Sequence, residues 1–145
     1  MSLQDTIVRL FEQGASAPKA EVREAFFQFR EELAAGRVRA AEPDAASPTG
    51  WRVNVWVKQG ILLGFRVGDV VDVGVGKGRW PFFDKDTMPL KKLDAGSGVR
   101  VVPGGSSIRE GAYLGSGVVC MPPMYINIGA YVGDGTMVDS HALVG

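Results

Sequence analysis

Asp139 and His141 stand two residues apart near the end of this 145-residue chain, and both are side chains that can take a proton from an attacking group. His141 is the one histidine present. Each also has an ordinary structural reading: Asp139 as a solvated or turn-bonding residue, His141 as a corner residue or pocket wall. Arg100, read most simply as a surface cation, precedes the segment that holds them, and Arg109 and Lys85 are further cations that could meet an anion. Cys120 is the single cysteine, and its place in an apolar series reads as a small core hydrophobe. The run Gly74-Val75-Gly76-Lys77-Gly78 invites a phosphate-loop reading and fails it. A Walker loop needs glycine at 71, where valine stands, and Ser or Thr at 78, where glycine stands; the third glycine of a dinucleotide fingerprint falls on Arg79. A loop is expected there. Arg79 to Lys85 then sets three aromatics beside three charges, a composition suited to a pocket rim, a subunit contact or a loop pinned by its rings.

The element that must position Asp139 and His141 is announced by period. Val102, Ile108, Leu114, Cys120, Ile126, Val132, Val138 and Val144 are spaced six residues apart and all apolar. A strict six-residue repeat predicts a parallel β-helix, each hexapeptide giving one short strand and one corner. Position i points to the axis and stacks on the next coil, about 4.8 Å away. Three positions later stand Gly105, Gly111, Gly117, Pro123, Gly129, Gly135 and His141, so that corner asks for a positive φ. Four positions later the residues are mostly small, as expected of a crowded corner. The repeat is expected to run without insertion or loss from Val102. Asp139 then falls at i+1, facing outward.

The rest of the chain frames this segment. Residues 1–42 read as a helical region: Leu3, Ile7, Leu10 and Phe11 share one face before Gly14, and Val22, Phe26, Phe29 and Leu33 share another between Pro18 and Gly36. Residues 43–101 read as a mixed strand, helix and loop region, with a linker or hairpin loop at 43–50 and a short strand leading into a helix that ends near Phe65. Residues 102–145 read as the β-helix. Lys plus Arg and Asp plus Glu are sixteen each, and no basic block suggests a nucleic-acid partner. No apolar run approaches the ~20 residues of a membrane span, and no signal peptide is read at the N-terminus. One cysteine fits a reducing compartment, so a cytoplasmic protein is expected.

Several stretches resemble one family: Arg39-Ala40-Ala41-Glu42, Ile61-Leu62-Leu63-Gly64-Phe65-Arg66, Phe83-Asp84-Lys85, Val99-Arg100-Val101-Val102-Pro103, and above all Asn127-Ile128-Gly129-Ala130-Tyr131-Val132 with Gly135-Thr136-Met137-Val138-Asp139-Ser140. They are similar to tetrahydrodipicolinate N-succinyltransferase, an acyl-CoA enzyme of the diaminopimelate and lysine pathway. The resemblance implies an α+β N-terminal region followed by the start of a left-handed parallel β-helix. It also implies a homotrimer with active sites between neighbouring β-helices, succinyl-CoA as co-substrate, and no metal.

Residue by residue, the resemblance puts an essential aspartate on Asp139, as catalytic base and substrate contact, and a substrate-binding arginine on Arg100. The chemistry is consistent: a small cyclic imine dicarboxylate calls for guanidinium. Acyl transfer calls for a base acting on the attacking amine, or on the water that hydrates the imine, with backbone N–H groups holding the tetrahedral oxyanion. Related enzymes continue for further coils, so the resemblance assigns a catalytic glutamate and most of the CoA surface to residues beyond Gly145, and this stretch alone is expected to be inactive. Three other readings are carried: a non-catalytic trimerising hexapeptide module, an acetyl-CoA enzyme of the same fold, and a zinc hydratase, which the single histidine argues against because that site needs three.

Overall fold

The computed structural model describes residues 1–145, in two apolar clusters joined side by side. The first is helical. Helix α1 (Leu3–Glu12) opens on a capping box, in which the Ser2 hydroxyl accepts from the Asp5 N–H at 3.1 Å and the Asp5 carboxylate accepts from the Ser2 N–H at 3.0 Å. Helix α2 (Lys19–Ala34) and helix α3 (Val55–Val67) pack against it. Strands β1 (Ala41–Pro43) and β2 (Trp51–Val53) pair antiparallel, so residues 44–50 form a hairpin loop, and α3 follows as the sequence suggests.

Gly60 and Gly64 sit inside α3, where glycine costs roughly 0.5–1 kcal/mol against alanine. Their use is steric. A β-carbon at Gly64 would lie 2.1 Å from the Phe26 ring, and one at Gly60 would lie 2.7 Å from Phe29. The two glycines form the seam that lets α3 lie against the aromatic face of α2. Buried Thr87 donates its hydroxyl to the Gly64 carbonyl at 2.9 Å.

Strands β3 (Val70–Asp72) and β4 (Phe83–Lys85) form a second antiparallel hairpin, extended by a bridge between Val75 and Trp80. The glycine-rich run is its tip, with Gly76, Lys77 and Gly78 all at positive φ. Trp80, Phe82 and Phe83 are exposed along the returning strand, so they do not pin a loop to the body. Arg23 of α2 reaches the base of this hairpin, donating to Asp86 at 2.6 Å and to the Val67 carbonyl at 3.1 Å.

From Arg100 the chain winds through eight two-residue strands: β5 (Arg100–Val101), β6 (Ser107–Ile108), β7 (Tyr113–Leu114), β8 (Val119–Cys120), β9 (Tyr125–Ile126), β10 (Tyr131–Val132), β11 (Met137–Val138) and β12 (Leu143–Val144). They pair only in parallel, in three sheets ordered β11-β8-β5, β12-β9-β6 and β10-β7, as the start of a parallel β-helix requires. Residues eighteen apart face one another, Leu114 with Val132, Cys120 with Val138, and Ile108 with Ile126 and then Val144. Ile108, Cys120, Ile126, Val132 and Val138 are buried in one cluster, and each contributes roughly 1.5–3 kcal/mol of transfer free energy. The corner three residues on is left-handed at Gly105, Gly111, Gly117, Gly129 and Gly135, and also at His141, where φ is 65°.

Two expectations are corrected. The residue at i+4 is a second inward position rather than a crowded corner: Val118 and Met124 occupy it alongside Ala112 and Ala130, all buried in the same cluster. The repeat is also not unbroken from Val102. In β5 it is Val101 that faces Cys120, and Arg100 that faces Val119, a separation of nineteen rather than eighteen. The hydrogen bonds shift with it, Val102 N–H going to the Cys120 carbonyl where the regular coil has Met121 N–H going to Val138. One residue too many therefore lies between β5 and β6, where both Gly104 (φ 141°) and Gly105 (φ 89°) are left-handed.

The Arg23–Asp86 pair yields a pH prediction. Its hydrogen bond with Arg23 holds the Asp86 carboxyl below the ordinary carboxylate range. A depressed folded pKa contributes stability above the unfolded value, near 3.9, and loses it as pH falls through the folded value. Since both side chains are about a quarter to a third exposed, Asp86→Asn should cost on the order of 1 kcal/mol at pH 7. Urea melts should show that gap closing as pH drops below about 4; a gap that persists or widens in acid contradicts the assignment.

Candidate active site on the outer coil face

The sheet β11-β8-β5 has an outer face whose members follow from register. Arg100, Val119 and Met137 form one row, the residues just before the inward position. The residues just after it, Val102, Met121 and Asp139, form the other. Arg100 and Asp139 thus stand at opposite corners of a two-by-three array whose other four members are apolar. Two sheet spacings and two residues along the strand separate their α-carbons by roughly 12 Å.

Both charges are exposed and neither has a salt bridge. Asp139 Oδ1 accepts the Ser140 N–H at 2.8 Å, which steadies the carboxylate. The main chain behind it is fixed by the Ala142 N–H on the Asp139 carbonyl and by the Ser140 hydroxyl on the Pro122 carbonyl at 2.6 Å. A carboxylate on so rigid a support, with an apolar floor beside it, can receive a proton from a nitrogen seated on that floor. A guanidinium at the far corner can hold a carboxylate of the same molecule.

The other candidates are placed elsewhere. His141 lies at the corner; its backbone N–H donates to the Pro123 carbonyl at 2.6 Å while its imidazole makes no hydrogen bond. Cys120 is fully buried, and burial pushes its thiol pKa up, away from the reactive thiolate. Arg109 is spent on Asp84 at 2.7 Å and lies over the Phe65 and Tyr125 rings. Lys85 donates to the Gly68 carbonyl at 2.9 Å. No group of three or more His, Cys, Asp or Glu side chains is arranged to hold a metal ion.

One cluster is not anticipated from the sequence. Tyr131 stacks on Tyr113 with ring centroids 4.5 Å apart, and the Arg39 guanidinium lies 3.7 Å above Tyr131. Tyr113 in turn packs against Gly36, where a β-carbon would fall 2.8 Å from its ring. Tyr131 is the largest influence in raising the Tyr113 pKa. The eighteen-residue separation of the two tyrosines was the available signal. This stack sits on the β10-β7 face and fastens the end of the helical part to the coil.

Comparison with known proteins bears on this face. Residues 2–67 match the family model described as the tetrahydrodipicolinate N-succinyltransferase N-terminal region. A 2,3,4,5-tetrahydropyridine-2,6-dicarboxylate N-succinyltransferase from Xylella fastidiosa (strain 9a5c) is 47% identical over 117 residues, 78% of this chain and 40% of the relative. By sequence the chain is similar to the N-terminal part of tetrahydrodipicolinate N-succinyltransferases. Proteins of the same name from Polynucleobacter asymbioticus and Methylorubrum populi are 43% and 37% identical, over 90% and 99% of this chain and 46% and 52% of their own lengths. The chain thus spans about half the length of the curated relatives it matches.

The corner assignment of His141 makes a prediction. A non-glycine residue in the left-handed region costs roughly 1–2 kcal/mol, so His141→Gly should leave the melting temperature unchanged or raise it, while His141→Val should lower it. A destabilising His141→Gly in thermal melts would show that the imidazole, rather than the backbone, holds this corner.

Proposed function

We propose that this chain is the N-terminal part of an N-succinyltransferase that moves a succinyl group from succinyl-CoA to tetrahydrodipicolinate, in diaminopimelate and lysine biosynthesis. The single observation that carries the reading is the array on the outer coil face, with Arg100 and Asp139 unpaired at opposite corners of an apolar floor. The names of the relatives supply the acyl group and the acceptor.

In this reading the coil is left-handed, and the active enzyme is a cytoplasmic homotrimer whose sites lie between neighbouring coils. Arg100 binds a substrate carboxylate. Asp139 takes the proton from the acceptor nitrogen, or from the water that hydrates the imine, as the nitrogen attacks the thioester carbonyl. The tetrahedral intermediate then collapses with the CoA thiolate as leaving group. Residues 1–42, 43–101 and 102–145 act as helical region, connecting region and coil, and the second catalytic carboxylate and the CoA surface come from sequence following Gly145. No helix here is long and apolar enough to cross a membrane.

The exposed rings of Trp80, Phe82 and Phe83 favour a second role beside the first, as a surface through which copies associate. The test of the main reading uses an enzyme in which this chain is followed by the remainder of a relative. Asp139→Asn should lower kcat by about 10²–10⁴-fold with the folded state retained by circular dichroism, and Arg100→Ala should chiefly raise the KM for the dicarboxylate. Near-normal turnover in Asp139→Asn would retire the proposal.

A further inference from the structure

A strict six-residue repeat would not put Arg100 where it is. Counted back from Ile108 in steps of six, Val102 is inward, Val101 outward and Arg100 inward again, at the position that Val118 and Met124 fill with buried side chains. A guanidinium there would be drawn into the apolar interior without a partner, at a cost of several kcal/mol. The observed register is displaced by one, and a displacement by one exchanges the two faces of a strand. Val101 faces Cys120, Val99 packs on the interior cluster together with Leu93, and Arg100 faces Val119 on the outside. Gly98, left-handed at φ 69°, lies nineteen residues before its counterpart Gly117 at φ 73°, so the displacement already holds before β5.

The compensating residue can be identified. From Gly105 onward the corners keep the ordinary six-residue phase, and the φ of 89° at Gly105 matches those of Gly111 and Gly129. The extra residue is Gly104. Its φ of 141° is open to glycine and strained for other residues, and a β-carbon there would lie 2.8 Å from the Pro122 ring.

We infer that Gly104 is a positioning residue: as the one extra residue of the first coil, it turns Arg100 onto the outer face that carries Asp139. The inference deepens the proposed function, on which its ligand side rests; its register side stands on the pairing alone. In the parent coil Val99 packs on the interior cluster, Val101 aligns with Cys120 at the exposed rim of the prism, and the outward Arg100 completes a face that would otherwise hold an anionic group and apolar side chains only.

The test is a reversal cycle in the enzyme that joins this chain to the remainder of a relative, with four members: the parent, a deletion of Gly104, the exchange Arg100→Val with Val101→Arg, and both changes together. Deleting Gly104 restores the strict repeat and drives Arg100 inward; the exchange in the parent register sets arginine over Cys120 at the rim of the interior and takes it off the outer face. Each change alone should lower the melting temperature, and the combination, which returns arginine to the outside, should recover most of the loss. Calorimetric titration with pyridine-2,6-dicarboxylate, a planar analogue of the acceptor, reads the ligand side: the parent and the combination should bind, and either single change should weaken binding at least tenfold. Recovery of both readouts supports the inference. Recovery of melting temperature with no binding by any member, the parent included, leaves the register assignment standing and strikes only the substrate reading. A combination that melts no higher than the deletion alone, or a deletion as stable as the parent, overturns it.

Discussion

The constraint on which this molecule depends is the return of an inward side chain onto its predecessor every eighteen residues. A strand of two residues cannot hold itself; each contributes little more than a pair of ladder hydrogen bonds. Stacking converts these short pieces into continuous interior columns, Ile108 over Ile126, Leu114 over Val132, Cys120 over Val138, closed by the second inward set at Ala112, Val118, Met124 and Ala130. Once the inward residue is fixed, its two neighbours are fixed outward. Asp139 is presented to solvent because Val138 cannot be, and the apolar floor beside it is the back of the same stacked wall.

The helical part is joined to this wall by specific seams. Ile128, on a coil corner, belongs to the helical core, and the Leu90–Arg109 bridge with the Arg109–Asp84 ion pair ties the connecting region to β6. The Arg39–Tyr131–Tyr113 stack fastens a further face. These seams consume most of the cations close to the coil. Arg109 and Glu110 of the coil are held in ion pairs with Asp84 and Lys91, whereas Arg100 and Asp139 have no ion pair and share one face.

Much of this was readable before any coordinate. The six-residue period, the left-handed corners, the three helices and a linker or hairpin loop over 43–50 all follow from local pattern, since each is decided by residues close in sequence. What escaped is decided by residues far apart. Val101 and Val102 are adjacent valines, so the pattern fits either one as the inward residue, and only the pairing with Cys120 chooses; the doubled glycine at 104–105 was the single local hint. Arg109 and Lys85 looked available because their partners, Asp84 and the Gly68 carbonyl, lie 25 and 17 residues away. Gly60 and Gly64 weakened the helix by propensity, while the packing against Phe26 and Phe29 that requires them is tertiary.

The register of the first coil against Cys120 is the most direct point of attack, because the face that Arg100 shares with Asp139 exists only if that register holds. Cys120 is the sole cysteine and can be used as a reporter. Adjacent parallel strands bring facing α-carbons within the roughly 4.4–6.8 Å that a disulfide needs. Oxidation of Val138→Cys, Val101→Cys and Val102→Cys chains, followed by mass analysis for an intramolecular bond to Cys120, should give closure at 138 and 101 and none at 102. Closure at 102 with none at 101 would contradict the account, since it would return Arg100 to the interior side of its strand.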